Sequence, residues 1–177
     1  MAACGRAIAI RGSVAMGKQR GRDSVKGTKV LFVDDEEDIS RPVAHYFQGL
    51  GCEVEVAAEA EEAQAMIAHR TYDLFVLDLC LTRFAGSQGL QVLREVRTRN
   101  RFAGVVVLSG LVNREIEEEA LRSGADAVLK KPQRLPDLAR LAFRIIGVGE
   151  AQIAEVLGPR LLGGRDAGDG SGARGAA

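Results

Sequence analysis

From Lys29 to Gly147 the sequence alternates short apolar runs with longer stretches of helical spacing, and no other feature restricts the possible folds so strongly. The runs are Val30 to Val33, Val54 to Ala58, Leu74 to Leu79, Val105 to Leu108 and Ala127 to Leu129. They are too short for helices and mostly β-branched or Leu-rich, as strands buried on both faces must be. After each run, apolar side chains recur three or four apart: Ile39, Val43, Phe47 and Leu50; Ala60, Ala63 and Ile67; Leu90, Leu93 and Val96; Ile116 and Ala120; Leu135, Leu138, Leu141 and Ile145. That spacing predicts amphipathic helices. Strict alternation with short joints implies right-handed crossovers and a parallel sheet covered on both faces, a doubly wound α/β domain. Pro42 falls within the first helical pattern and is tolerated if it sits in the first turn, with Asp38 as N-cap. Gly124 suits a left-handed cap after the fourth helix.

The chain has 177 residues, the length of one domain (29–147) with appendages. Residues 1–28 carry Arg6, Arg11, Lys18, Arg20, Arg22 and Lys26 against Asp23 alone, and read as a disordered basic extension or as sequence upstream of a true start at Met16. In residues 148–177, Glu150 to Leu157 predicts a short helix, and Gly163, Gly164, Gly168, Gly170, Gly172 and Gly175 predict a disordered tail. Lys plus Arg and Asp plus Glu are 24 each, so total charge gives no argument for a nucleic-acid or membrane partner. Cys4, Cys52 and Cys80 are odd in number and far apart, which suggests neither a disulfide framework nor a zinc site. No apolar run approaches the roughly 20 residues of a membrane-spanning helix. A reducing cytoplasm is the expected setting.

Polar residues cluster where the strands end. The first ends in Asp34-Asp35, the third in Asp78, the fourth in Ser109 and the fifth in Lys130-Lys131-Pro132, whereas the second ends in Ala57-Ala58 and contributes nothing. In a flavodoxin-like (βα)5 sheet of order 2-1-3-4-5, strands one, three, four and five are neighbours, and ligands bind beyond their carboxyl ends. The contributing strands are the adjacent ones. Asp34, Asp35 and Asp78 at one place would repel one another unless a cation binds between them. All-oxygen ligands point to Mg²⁺, which keeps waters and leaves positions for a phosphoryl oxygen. An Asp carboxylate can itself be the nucleophile that becomes an aspartyl phosphate. Alone, Asp34-Asp35 would read as a helix cap, Ser109 as a turn residue and Lys130-Lys131 as a solvated pair; together they read as a site. His45 and His69 stand in helical patterns with no ligand partner and read as surface residues.

Lys-Val-Leu-Phe-Val-Asp-Asp-Glu-Glu at 29–37, Tyr-Asp-Leu-Phe-Val-Leu-Asp-Leu at 72–79, Val-Val-Val-Leu-Ser-Gly at 105–110 and Gly-Ala-Asp-Ala-Val-Leu-Lys-Lys-Pro at 124–132 resemble the signature blocks of response-regulator receiver domains of two-component signalling. The resemblance implies Asp78 as phosphoacceptor, Asp34 and Asp35 as the acidic pocket for Mg²⁺, the backbone carbonyl of Cys80 as a further metal ligand, and Ser109 and Lys131 as the groups that engage the phosphoryl group. It also implies a sensor histidine kinase or phosphotransfer protein as donor. The expected protein is a stand-alone receiver with no output domain, passing its signal to a downstream protein by contact, without direct DNA binding, and not an enzyme in its own right.

The sequence departs from that family pattern in places. Val128 stands where many members have an aromatic switch residue, Gln133 follows the proline where Phe is common, and the loop from Leu79 to Gly89 is long and lacks the usual proline at Thr82. These departures leave room for an adaptor that works without phosphorylation. A small Mg²⁺-dependent aspartate-nucleophile phosphatase would want a DxD at the first strand, where the pair here is contiguous. An electron carrier of flavodoxin type would want a hydroxyl-rich first loop, where Asp34-Asp35-Glu36-Glu37 would repel phosphate.

Overall fold

The computed structural model describes residues 7–10, 24–79, 88–110 and 113–158. Its strands are β1 (Ala7–Ile10), β2 (Lys29–Val33), β3 (Glu53–Ala57), β4 (Leu74–Asp78), β5 (Gly104–Ser109) and β6 (Ala127–Lys130). Its helices are α1 (Glu37–Gly49), α2 (Ala60–His69), α3 (Gln88–Arg99), α4 (Arg114–Ser123), α5 (Leu135–Ile145) and α6 (Glu150–Leu157). Strands β2 to β6 are all parallel and lie side by side as β3-β2-β4-β5-β6. Counted alone they have the order 2-1-3-4-5, as expected of the doubly wound fold.

The period of two in each strand divides the core. Leu31, Val33, Phe75, Leu77, Val105 and Val107 face α2, α3 and α4, where they meet Ala63, Ile67, Leu93, Val96 and Ala120. Val30, Phe32, Leu74, Val76, Val106 and Leu108 face the other way, onto Val43 and Phe47 of α1 and Leu138, Ala142 and Phe143 of α5. Every residue of β4 and β5 is buried, which is why those runs are uninterrupted in the sequence. Phe47 and Phe143 meet edge to face, with centroids 5.7 Å apart, and tie α1 to α5. Helix α6 packs against α5 and buries Ile153 fully. The tail after residue 158 lies outside the described residues.

Two expectations need correction. Within the extension expected to be disordered, Ala7–Ile10 forms a strand that pairs antiparallel with β6. Four residues of Ala-Ile-Ala-Ile are too few to show a period, and what recruits them is the otherwise unpaired edge of β6. Nearer the domain, Val25 and Thr28 are buried and the Gly27 amide donates to Gly51 O at 2.8 Å, so packing begins before Lys29. The second correction concerns α1. Its N-cap is Glu36, whose carbonyl already accepts from Ile39 and Ser40, and Asp38 lies inside the first turn beside Glu37, where both acids favour the helix dipole. Pro42 is consequently past the first turn. It is exposed, so water can reach the carbonyl that its missing amide leaves unpaired. Gly124 closes α4 in the left-handed conformation, φ +111°, as its position predicted.

No helix among the described residues is long and apolar enough to cross a membrane.

Candidate functional site

Four strands deliver their polar ends to one edge of the sheet. Asp34 leaves β2 with its amide on Ala57 O at 3.1 Å, and Asp78 is the last residue of β4, opposite Leu108 of β5. Ser109 ends β5 opposite Lys130, and the Lys131 amide donates to Ser109 O at 2.8 Å. This pairing turns the Lys131 side chain over the ends of β2 and β4. Its Nζ lies 2.7 Å from Asp34 Oδ2 and 2.7 Å from Asp78 Oδ2. The second Asp34 oxygen accepts the Glu36 amide at 3.0 Å. Asp34 and Asp78 are 1% and 3% exposed, while Asp35 faces solvent; oxygens of all three carboxylates lie within 4.8 Å of one another.

The electrostatics are unequal. Burial raises the Asp34 carboxyl above its ordinary value, although Lys131 and the Glu36 amide pull it down. Burial also opposes the charge on Lys131, but the hydrogen bonds to Asp34 and Asp78 outweigh it, so its pKa is raised and the ammonium stays protonated. Three carboxylates against one ammonium leave an excess of negative charge. The donor set is entirely oxygen, hard and partly open to water, and therefore fits Mg²⁺.

Of the residues singled out in the sequence, Asp34, Asp78 and Lys131 are joined directly, Asp35 is within reach, and Ser109 is fully buried at the end of the neighbouring strand. Cys80 lies outside the described residues. Lys130, His45 and His69 are exposed, as expected. Sequence reasoning missed two residues. Glu36 places a third carboxylate 3.3 Å from Lys131 Nζ, a contact across 95 residues whose only hint was its place in the acidic run. Gly89, in the first turn of α3, lies against the backbone that leaves Asp78: a Cβ there would stand 2.5 Å from Leu79 Cα and 2.6 Å from Asp78 O. Since backbone cannot yield as a flexible side chain can, Gly89→Ala should lower the melting temperature by several degrees and displace the Asp78 carboxylate. Thermal melts with Mg²⁺ titration check this, and an unchanged melt with unchanged affinity would contradict the close approach.

Residues 30–142 match the family described as response regulator receiver domain. The chain belongs to that family. Among curated relatives of this receiver, the Regulator of RpoS from Escherichia coli (strain K12) is 32% identical over 115 residues, which are 65% of this chain and 33% of that protein. The alginate biosynthesis transcriptional regulatory protein AlgB from Pseudomonas aeruginosa is 33% identical over 119 residues, 67% of this chain and 26% of that protein. The chain thus spans a third or less of the length of these two relatives. Among solved structures, a CheY-like response regulator receiver domain protein from Methanospirillum hungatei JF-1 superposes with a TM-score of 0.64 at 25% identity, covering 73% of this chain and 99% of that one. In this receiver Val128 is fully buried in the core, so its position holds no ring that could swing outward.

Proposed function

We propose that the chain is a phosphoacceptor whose nucleophile is the Asp78 carboxylate, supplied by a sensor histidine kinase or a phosphotransfer protein. The observation that carries this reading is the placement of one protonated lysine 2.7 Å from two buried carboxylates at the end of a central strand. An oxygen of Asp78 attacks the phosphorus of the donor phosphohistidine. The P–N bond breaks, and the imidazole leaves with the electron pair. Lys131 then donates to the oxygens of the transferred group, and the Ser109 hydroxyl, one strand over, is the second donor. Asp34, Asp35, Asp78 and the Cys80 carbonyl would hold Mg²⁺. When bound, Mg²⁺ neutralises charge on the transferring phosphoryl oxygens.

The domain assists its own phosphotransfer and is otherwise a signalling module. We assign output to contacts that the receiver surface makes with a downstream protein. A cytoplasmic setting, with residues 29–147 as the working domain, belongs to the same reading. With Val128 in place of a ring, we expect phosphorylation to shift a population modestly.

Incubation with a small-molecule phosphodonor, read by intact mass, tests the proposal. One phosphoryl group should be added with Mg²⁺ present and almost none after chelation. Labelling that ignores chelation would contradict it. Asp35→Ala should weaken Mg²⁺ binding by at least the roughly 10- to 100-fold that loss of an outer-shell partner costs at metal sites. Equal affinities by titration would show that Asp35 is no ligand.

A further inference from the structure

The outer side of β6 is an edge of the parallel sheet, where amide and carbonyl groups have no strand to pair with unless one is supplied. The chain supplies its own. Ala7 lies opposite Leu129, Ala9 opposite Val128 and Ile10 opposite Ala127. The family match starts at residue 30, so this strand is an addition to the shared receiver fold. Its grip is slight. It is four residues long, and its register slips between the partners of Ala7 and Ala9 rather than running evenly. The chain from residue 11 to 23 is long enough for the strand to leave without unfolding the domain.

The slip lies toward the end of β6 that leads into the phosphoryl pocket. Two residues beyond Leu129 comes Lys131, held by its amide to Ser109 O and by its ammonium to Asp34 and Asp78. We propose that the outer edge of β6 is a strand-acceptor surface reserved for the chain's own Ala7–Ile10, and that the hold of this strand depends on what Lys131 is bound to. The phosphoryl trigger in this proposal rests on the phosphoacceptor reading above. With Lys131 tied to the two carboxylates, the end of β6 is fixed and β1 pairs with it. When a phosphoryl group on Asp78 takes over the ammonium, the end of β6 moves. The pair nearest to it, Ala7 with Leu129, is the first to fail, and the remaining contacts are too few to hold a strand of this length. Phosphorylation therefore uncovers the edge. By linkage, removing the strand must in turn favour the phosphorylated state.

Amide exchange of the full chain tests this in two arms. In the first, the native protein is compared with and without phosphodonor and Mg²⁺, with intact mass recording the added group. In the second, Lys131→Met is compared with native protein, both in Mg²⁺ and without phosphodonor. The second arm needs no phosphoryl uptake, so failure of the phosphoacceptor reading is seen in the mass while the strand is still tested. Resting β1 amides should be protected, and they should exchange at least tenfold faster in both arms while β4 amides stay slow. Exchange in β4 distinguishes release of the strand from unfolding of the variant, and the native arm stands if the variant unfolds. β1 amides that exchange as fast as a free peptide at rest, or that keep equal protection in every state that remains folded, would overturn the proposal.

Discussion

Asp78→Asn should gain no phosphoryl mass under conditions that label the native chain, a change from measurable labelling to none. The carboxamide has the shape of the carboxylate but is not a competent nucleophile toward phosphorus, and no neighbouring group replaces it. Asp34 is as buried as Asp78, but its two oxygens are engaged by Lys131 and by the Glu36 amide. The variant should fold. Asparagine fills the same volume, and Lys131 keeps Asp34 at 2.7 Å. Its Mg²⁺ affinity should fall, because two carboxylates remain of three. Intact mass and a thermal melt on the same sample check both points, and persistent labelling of a folded variant would place the acceptor elsewhere.

Lys131→Met should cost about 3–5 kcal/mol of stability in metal-free buffer, the range seen when a buried ion pair loses one partner. The variant retains Asp34 and Asp78, nearly inaccessible to water, with no ammonium between them. Mg²⁺ should restore a large part of the loss. The pH dependence has a definite sign. Asp34 already has a raised pKa, so its charge opposes folding above that pKa, and the penalty is relieved as pH falls through it. Without Lys131 this effect should grow, so the metal-free variant should gain stability relative to native as the solution is acidified from neutrality. In the native protein the raised Lys131 pKa stabilises the fold at all pH values below the ordinary lysine range and is lost only in strong alkali. Phosphoryl uptake should also slow on the order of 10²-fold, as for loss of one preorganised charge donor. Denaturant melts with and without Mg²⁺ at neutral and mildly acidic pH decide the matter. Equal stability of variant and native chain without metal would mean that the lysine does not compensate the two acids.

The strands and most of the site could be read from the sequence because burial and chemistry coincide there. β4 and β5 are covered on both faces, so Leu74 to Leu77 and Val105 to Leu108 appear as unbroken apolar runs, and the first polar residue after each marks the edge where ligands bind. Asp34 and Asp78 each occupy such a position, and Lys131 follows Lys130, which occupies the one at the end of β6. The parts that could not be read depend on tertiary partners. Ala7–Ile10 is a strand only because β6 has an open edge, and nothing local in Ala-Ile-Ala-Ile states that. The start of α1 was misplaced because Glu36 caps it by its backbone alone, with no side-chain hydrogen bond, whereas Asp38 has the usual capping side chain. Glu36 reaches Lys131 across the sheet, and Gly89 is required by a backbone that approaches from the preceding strand, so neither is visible as a spacing.

The central claim is that this edge of the sheet makes Asp78 a phosphoacceptor. Its most direct test is to label the native chain with a small phosphodonor and Mg²⁺, trap the acyl phosphate by hydride reduction, and map the modified residue by peptide mass. The account predicts a single modified position, Asp78, and none when Mg²⁺ is withheld. Modification at any other acidic residue, or a chain that takes up no phosphoryl group with Mg²⁺ present, would contradict it.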